Sequence, residues 1–317
     1  MTHPRRLNIT IFGIGAMGTL FGSKLNNIAN ISLFGHWPEQ IEAIRRYGLI
    51  LTHPDGSTDT HRLRITNKLE TIPAADIALI LVKSHQTGDA ARQAAKILKP
   101  DGLAVTLQNG LGNLETLAGA VGRRRAALGI TAQGATVLGP GQIRHAGNGP
   151  THLASSPGKE KQLQQLVDLF NAAGLETTLT ANADSLVWGK LAINAGINPL
   201  TALLEIPNGK LGQDSNLRQM MFAAATEVAR VAAAQGISLP FADAALRTLE
   251  VSQSTAGNKS SMFQDVSRAA LTEIEAISGE VVRYGQRLGV PTPVNEWLLQ
   301  MIQTKEKQNR LRNVSSV

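Results

Sequence analysis

Three groups of residues have types and spacings that could do chemistry. The first is Gly13-Ile14-Gly15-Ala16-Met17-Gly18, a G-x-G-x-x-G run lying between an apolar segment and a helical one. In that setting the first glycine permits a tight turn and the second lets backbone approach a pyrophosphate. The third lets the helix pack closely on the strand. Free N–H groups at the helix start then bind the anion. No Gly-Lys-Ser/Thr follows, so a P-loop is excluded. The bland alternative is a glycine-rich turn that only packs.

The second group is Lys190, Asn194 and Asn198, spaced i, i+4, i+8 among apolar and small neighbours. If the helix runs that far, the three line one face. The stripe is either a satisfied interior one or a site where a lysine meets an anionic or carbonyl substrate and amides orient it. A partly desolvated lysine has a lowered pKa and can serve as general acid. The third group is Asn258-Lys259-Ser260-Ser261, ahead of Met262-Phe263-Gln264-Asp265. A helix start rich in Ser and Asn could bind a carboxylate, although capping alone accounts for a serine there. Glu273 follows twelve residues after Ser261, and its spacing alone gives it no role.

A strand that binds the ribose of NAD ends in Asp or Glu. Here the second strand ends Phe34-Gly35-His36-Trp37-Pro38, with Glu39 beyond the proline. A carboxylate would repel a 2′-phosphate, so its absence favours NADP mildly. His36 or Trp37 could pack on an adenine, His36 could reach a phosphate, or both could simply shape the loop.

The elements that must position these residues fall into two halves. Short apolar runs at 7–12, 31–34, 77–82, 103–107 and 126–131 alternate with helical stretches at 13–27, 39–47 and 90–98. Continuous apolar runs separated by helices indicate a parallel sheet covered on both faces. Gly139-Pro140-Gly141 separates 135–138 from 142–145 and reads as a hairpin; a helix at 161–173 and a strand at 176–179 follow. After Asn182 the pattern turns helical, at 184–195, 217–234, 241–251, 272–288 and 294–303. Leu217, Met220, Met221, Ala224, Val228 and Val231 form a buried stripe of core type. The last dozen residues are polar and are expected to fray. The fold class is therefore α/β, with a parallel-sheet domain at 1–180 and a mostly α-helical domain at 181–317.

Composition removes several classes. The absence of cysteine excludes disulfides, thiolate metal sites, iron–sulfur clusters and cysteine nucleophiles. The seven histidines, His3, His36, His53, His61, His85, His145 and His152, show no metal-binding spacing and read as surface or loop residues. A net charge of +7 suits anionic ligands. The basic clusters at 123–125 and 305–312 lack interleaved aromatics and read as solvated faces, with no nucleic-acid motif behind them. No apolar run reaches the roughly 18–20 residues that span a bilayer. The first residues lack the apolar core and cleavage site of a signal peptide, so a cytoplasmic protein is expected.

In the order and spacing of its blocks the sequence resembles the ketopantoate reductases (2-dehydropantoate 2-reductases), within the 6-phosphogluconate-dehydrogenase-like superfamily. The blocks are the glycine run, Val82-Lys83, Gln108-Asn109-Gly110-Leu111-Gly112-Asn113, residues 188–198, Pro207-Asn208-Gly209, residues 260–265 and Thr272-Glu273-Ile274. The resemblance extends to about Leu299. It implies a Rossmann domain, a helical domain and a cleft between them. The implied reaction is NADPH-dependent reduction of 2-dehydropantoate to (R)-pantoate, a step toward pantothenate and coenzyme A.

By motif match Lys190 would donate the proton to the ketone oxygen. Asn194, Asn198, Asn208, Asn258 and Ser261 would hold the substrate. Asn109 and Glu273 would contact the cofactor near its nicotinamide, with Glu273 at the catalytic centre, and Lys83 its adenosine side. Ala135 would meet the carboxamide through its backbone. The implied partners are NADPH and a small 2-keto acid, with neither nucleic acid nor membrane; the helical domain could carry a homodimer interface. Two departures stand out: His36-Trp37 occupies the place of the family's usual arginine, and Ser278-Gly279 that of Asn-Gly. The alternatives are a paralogue reducing another branched 2-keto acid and a non-catalytic NADP(H) sensor.

Overall fold

The structure, a computed structural model, describes residues 6–156 and 158–315. The segment before Arg6, His3 included, and the last two residues lie outside the described residues. The chain forms two compact units, Met1–Gln108 with Asn113–Ala183, and Asn109–Gly112 with Asp184–Val317. The second unit thus takes in a four-residue loop that a linear division near 180 does not anticipate.

In the first unit the elements run β1 (Asn8–Phe12), α1 (Ala16–Leu25), β2 (Asn30–Phe34), α2 (Pro38–Tyr47), β3 (Leu49–Thr52), β4 (Thr58–His61), β5 (Arg64–Thr66), β6 (Ala75–Ile80), α3 (Thr87–Ile97), β7 (Leu98–Thr106) and α4 (Asn113–Val121). They continue with β8 (Ala126–Thr131), β9 (Gly134–Gly139), β10 (Gln142–Gly147), β11 (Thr151–Ala154), α5 (Glu160–Ala172) and β12 (Thr177–Thr180). The main sheet has the order β12-β11-β8-β7-β6-β1-β2-β5. Its neighbours are parallel except β11 against β8. One face packs Ile9, Ile11, Leu33 and Leu79 against Leu20, Phe21 and Phe170 of α1 and α5. The other packs Phe12, Phe34 and Ile80 against Ala90, Ala91, Ala94 and Leu117 of α3 and α4. Burial on both faces is why these strands read as continuous apolar runs. The strand order reverses at β1, which has β2 on one side and β6 on the other. Ligands in such sheets bind at the carboxyl ends of strands at this switch point.

A second sheet, β4-β3-β10-β9, was not legible in the sequence beyond its β9–β10 hairpin. Its pairing of β3 with β10 joins distant segments, and β4 is Thr-Asp-Thr-His, too short and polar to show alternation. The histidines need correcting here. His61, His145 and His152 lie on strands, and His145 is buried.

The second unit is helical: α6 (Ala183–Leu204), α7 (Ser215–Ala233), α8 (Ala244–Ser254), α9 (Ser261–Ser267), α10 (Glu280–Leu288) and α11 (Pro293–Ser315). Trp188, Leu191, Ala195, Val228, Val231, Val281 and Ile302 form its core, which includes part of the predicted α7 stripe. The expected helix at 272–288 opens instead with a π turn, Glu275–Gly279. Among the described residues α11 continues to Ser315, into the stretch expected to fray. Its Lys, Glu, Gln, Arg and Leu residues are good helix formers, and polarity there marks a solvated helix rather than an unwound one.

Burial lowers the pKa of the His145 imidazole. Gln133 Nε2 donates to Asn148 Oδ1 and the Gly149 carbonyl, so Gln133 Oε1 is left to accept from His145 Nε2–H at 2.8 Å. A charged ring would make the same bond, so it is burial that makes the folded state favour neutral imidazole. The stability it contributes is present above the unfolded pKa of about 6.5 and is lost as pH falls below it. Melting temperatures at pH 7 and pH 5 should differ more for the wild type than for His145→Gln; equal losses would remove His145 from the acid response.

Candidate active site

The glycine run forms the turn from β1 into α1. Gly13 has φ +113°, and a Cβ there would lie 2.6 Å from the Leu81 carbonyl oxygen. A Cβ on Gly18 would stand 1.8 Å from the Gly13 carbonyl oxygen, so the third glycine is a packing requirement. Gly15 differs, because a Cβ there meets nothing within 4 Å. It is the N-cap of α1, with no side-chain cap and no acid in the first turn. The N–H groups of Ala16, Met17 and Gly18 precede the first intrahelical acceptor and need an external one. Open space over Gly15 and uncapped N–H groups behind it fit a dinucleotide pyrophosphate. Ile14 wedges against Gly35, where a Cβ would meet its side chain at 2.6 Å.

A residue that sequence reasoning missed holds this turn. Gln40 is fully buried; its Nε2 donates to the Ile14 carbonyl at 3.0 Å and its Oε1 accepts from the Gly141 N–H at 2.7 Å. The available signal was a glutamine on the apolar face of α2, beside Ile41 and Ile44. Gln108 does the same work at the next strands. Its Nε2 donates to the Val82 carbonyl and to Thr87 Oγ1, tying the end of β7 to the segment after β6. Lys83 sits there, half-buried at the start of the 3₁₀ turn Ser84–Gln86. The turn after β1 and the lysine after β6 thus flank the switch point. Ala135 lies away from the main sheet, half-buried on β9 opposite His145.

At the end of β2, His36 is exposed and edge-on to Phe34, while half-buried Trp37 packs on the core ahead of α2. The nearby arginines are engaged: Arg45 Nε donates to the Ile65 carbonyl, and Arg46 pairs with Glu42.

In the second unit, α6 runs unbroken through Lys190, Asn194 and Asn198, so the three share one face. Asn198 is buried, and Lys190 and Asn194 are half-buried. Burial lowers the Lys190 amine from its ordinary value to about 8, and the Glu273 charge opposes that shift. Pro199 lies inside the helix and withholds an N–H from the Ala195 carbonyl. Ser260 is the N-cap of α9: its Oγ accepts from the Phe263 N–H at 3.0 Å and from Thr201 Oγ1 at 2.7 Å. Capping explains Ser260, whereas Ser261 and Asn258 are exposed. Asn208 is buried; its N–H donates to the Asn258 carbonyl and its Nδ2 to Thr255 Oγ1. Its Oδ1 is buried without a partner among the described residues.

Asn109 belongs to this unit, and its Nδ2 donates to Glu273 Oε2 at 3.2 Å. Glu273 is buried. The Leu111 N–H donates to the Ala276 carbonyl at 2.9 Å, inside the π turn. Gly110 has φ +82°, and a Cβ would lie 2.3 Å from that carbonyl oxygen, so only glycine lets the loop dock. The structure therefore brings Asn109, Glu273 and Lys190 into one electrostatic group, and Asn208 into contact with Asn258. The glycine turn and Lys83 form a separate group in the first unit. Among the described residues no group of three or more His, Asp or Glu could hold a metal ion, and no helix is long and apolar enough to cross a membrane.

A glycine turn at the switch point of a parallel sheet, followed by a helical unit with a half-buried lysine beside amides, defines a dinucleotide-dependent oxidoreductase of Rossmann type. Residues 9–158 match the family described as ketopantoate reductase PanE/ApbA, and residues 182–306 match its C-terminal domain. The chain belongs to the ketopantoate reductase family. It is 34% identical over 304 residues to a 2-dehydropantoate 2-reductase of Halobacterium salinarum, covering 95% of this chain and 99% of that one. It is 33% identical to one of Pyrococcus horikoshii, covering 95% and 98%. Among solved structures, a PanE/ApbA family ketopantoate reductase from Ralstonia eutropha superposes with TM-score 0.88 at 28% identity, covering 96% of this chain and all of that one. A D-mandelate dehydrogenase solved with NADH and anilino(oxo)acetate superposes with TM-score 0.89 at 27% identity and the same coverage.

The two glycines separate packing from binding. Gly15→Ala should keep the wild-type melting temperature yet weaken NADPH binding by about tenfold or more, read by nicotinamide fluorescence. Gly18→Ala should lower the melting temperature as well. Unchanged affinity in Gly15→Ala would show that the space above it is not the pyrophosphate site.

Proposed function

We propose that this chain reduces 2-dehydropantoate to (R)-pantoate with NADPH, in pantothenate biosynthesis. In this reading residues 1–180 bind the cofactor and residues 181–317 bind the substrate. The observation that carries it is Lys190: an amine lowered to about 8 by burial, on the same helix face as two asparagine amides. The names of relatives aligned over nearly their full length support the substrate.

NADPH, when bound, supplies a hydride for the keto carbon. The chain supplies the rest. Its glycine turn holds the pyrophosphate, and Lys83 with backbone N–H groups meets the adenosine phosphate. Ala135 offers backbone to the carboxamide. Asn194, Asn198, Asn208, Asn258 and Ser261 hold the substrate carboxylate and hydroxyl. As negative charge develops on the ketone oxygen, Lys190 Nζ–H donates its proton there, leaving a neutral amine that solvent reprotonates. Glu273 favours the charged amine and, with Asn109, faces the nicotinamide end. A cytoplasmic location and a homodimer belong to the same reading; light scattering on the purified protein checks the second.

Lys190→Ala should lower kcat by roughly 10²–10⁴ while NADPH still binds. Turnover equal to wild type would remove Lys190 from the mechanism. The charged amine is the acid, so wild-type kcat/KM for reduction should be level below pH 7 and fall as pH rises through about 8. Pantoate oxidation needs the neutral amine and should rise over the same range. A profile flat to pH 9.5 in both directions would contradict the assignment.

A second reading, reduction of a different 2-keto acid with NADH, is favoured by the likeness to D-mandelate dehydrogenase and by the exposed His36 at the end of β2. Ranking 2-dehydropantoate against aryl and branched keto acids by kcat/KM, with NADPH and with NADH, decides between them. The first reading expects 2-dehydropantoate with NADPH to lead.

A further inference from the structure

The face of the main sheet opposite α1 carries polar residues at the start of three strands. Thr10, Ser32 and Arg64 stand in register across β1, β2 and β5, with Asn8 beside Asn30 in the row before. In a strand buried on both faces these positions would ordinarily be apolar. Their alternate neighbours Ile9, Ile31 and Ile65 face the core on the other side. Further along the same face Phe12 and Phe34 are covered by the α3–α4 layer. The polar rows instead floor a groove of about 440 Å³, whose rim carries Arg6, Arg62 and Arg64.

Three observations give this groove its chemistry. The hydroxyls of Thr10 and Ser32, in residues only 2% and 5% exposed, have no partner among the described residues although they line the cavity. Both residues line the groove, so their hydroxyls can donate to or accept from a group bound in it. The guanidinium groups are partly fixed: Arg62 Nη1 donates to the Arg46 carbonyl at 3.2 Å, and Arg64 Nη2 to the Thr71 carbonyl. Each retains most of its five donors. Finally, no carboxylate is among the described residues that line the groove. Asp76, which accepts from the Asn8 N–H, is also bound to Lys99.

We propose that this groove binds a phosphorylated small molecule. Three guanidinium groups above two hydroxyls suit a group with several strong acceptor oxygens. The volume lies in the range of small-ligand sites, roughly 300–1,000 Å³. The groove opens at the amino ends of β1 and β2, whereas the glycine turn follows the carboxyl end of β1, so one strand carries two anion sites at opposite ends.

The test uses the full chain saturated with NADP⁺, so that the glycine turn is occupied, and pyrophosphate as the probe. Its binding is read by calorimetry and by melting temperature, against chloride at matched ionic strength. Pyrophosphate should bind saturably to the NADP⁺-loaded wild type and raise its melting temperature. Arg64→Ser should weaken that binding by roughly ten- to a hundredfold. Ser32→Val, which keeps every arginine but replaces the floor hydroxyl with a methyl, should weaken it as well. Both variants should keep the wild-type affinity for NADPH. No saturable binding to the loaded wild type would overturn the proposal. So would equal affinity in wild type and both variants, which would assign the binding to diffuse surface charge.

Discussion

The proposed chemistry depends on placing an ammonium where water is scarce without letting it lose its proton permanently. Burial drives the Lys190 amine toward neutrality, and the Glu273 charge pulls it back. Burial alone would push the amine further toward neutrality, and a stronger partner would return it toward an ordinary surface lysine that gives up its proton poorly. The balance near 8 leaves the amine mostly charged at neutral pH, as the proposed acid role requires. Glu273 can exert this influence because it is itself buried, out of the solvent that would screen it.

That balance in turn rests on backbone. Glu273 lies just ahead of a π turn, and the turn's Ala276 carbonyl accepts from the Leu111 N–H. The 109–112 loop therefore sits where Asn109 can donate to the carboxylate. Gly110 is the condition for this, since its backbone conformation and the 2.3 Å approach of a Cβ to that carbonyl both exclude a side chain. π turns recur at functional sites because the extra residue redirects a carbonyl without ending the helix.

Features with local causes were legible in the sequence. The β1 turn was readable because its glycine spacing is a local signal: Gly13 takes a positive φ and Gly18 packs against the Gly13 carbonyl. The Lys190 stripe was readable because its helix period survives through Pro199. The apolar runs of β1, β2, β6 and β8 announced a sheet covered on both faces. Features created by distant contacts were not legible. The β3–β10 pairing, the antiparallel insertion of β11 and the Asn109–Glu273 bond all join segments whose meeting depends on the finished fold. Gln40 stands between these cases. A polar residue on an apolar helix face signals a buried partner, but not which backbone groups it serves.

The substrate-binding residues assigned to the helical unit are held by hydrogen bonds that do not involve a ligand. Thr201 Oγ1 lies between the Ile197 carbonyl, one turn back on α6, and Ser260 Oγ, which caps α9. The helix bearing Lys190, Asn194 and Asn198 is thereby fastened to the start of the helix that Ser261 opens. The Asn208 N–H fastens the next segment to the Asn258 carbonyl. These bonds run from protein group to protein group, so the polar groups are ordered by the fold itself, and ordering of that kind lowers the entropic cost of binding. Ser260 is the buried cap and Ser261 its exposed neighbour, so one serine spends its oxygen on structure while the other stays accessible, as its proposed role requires.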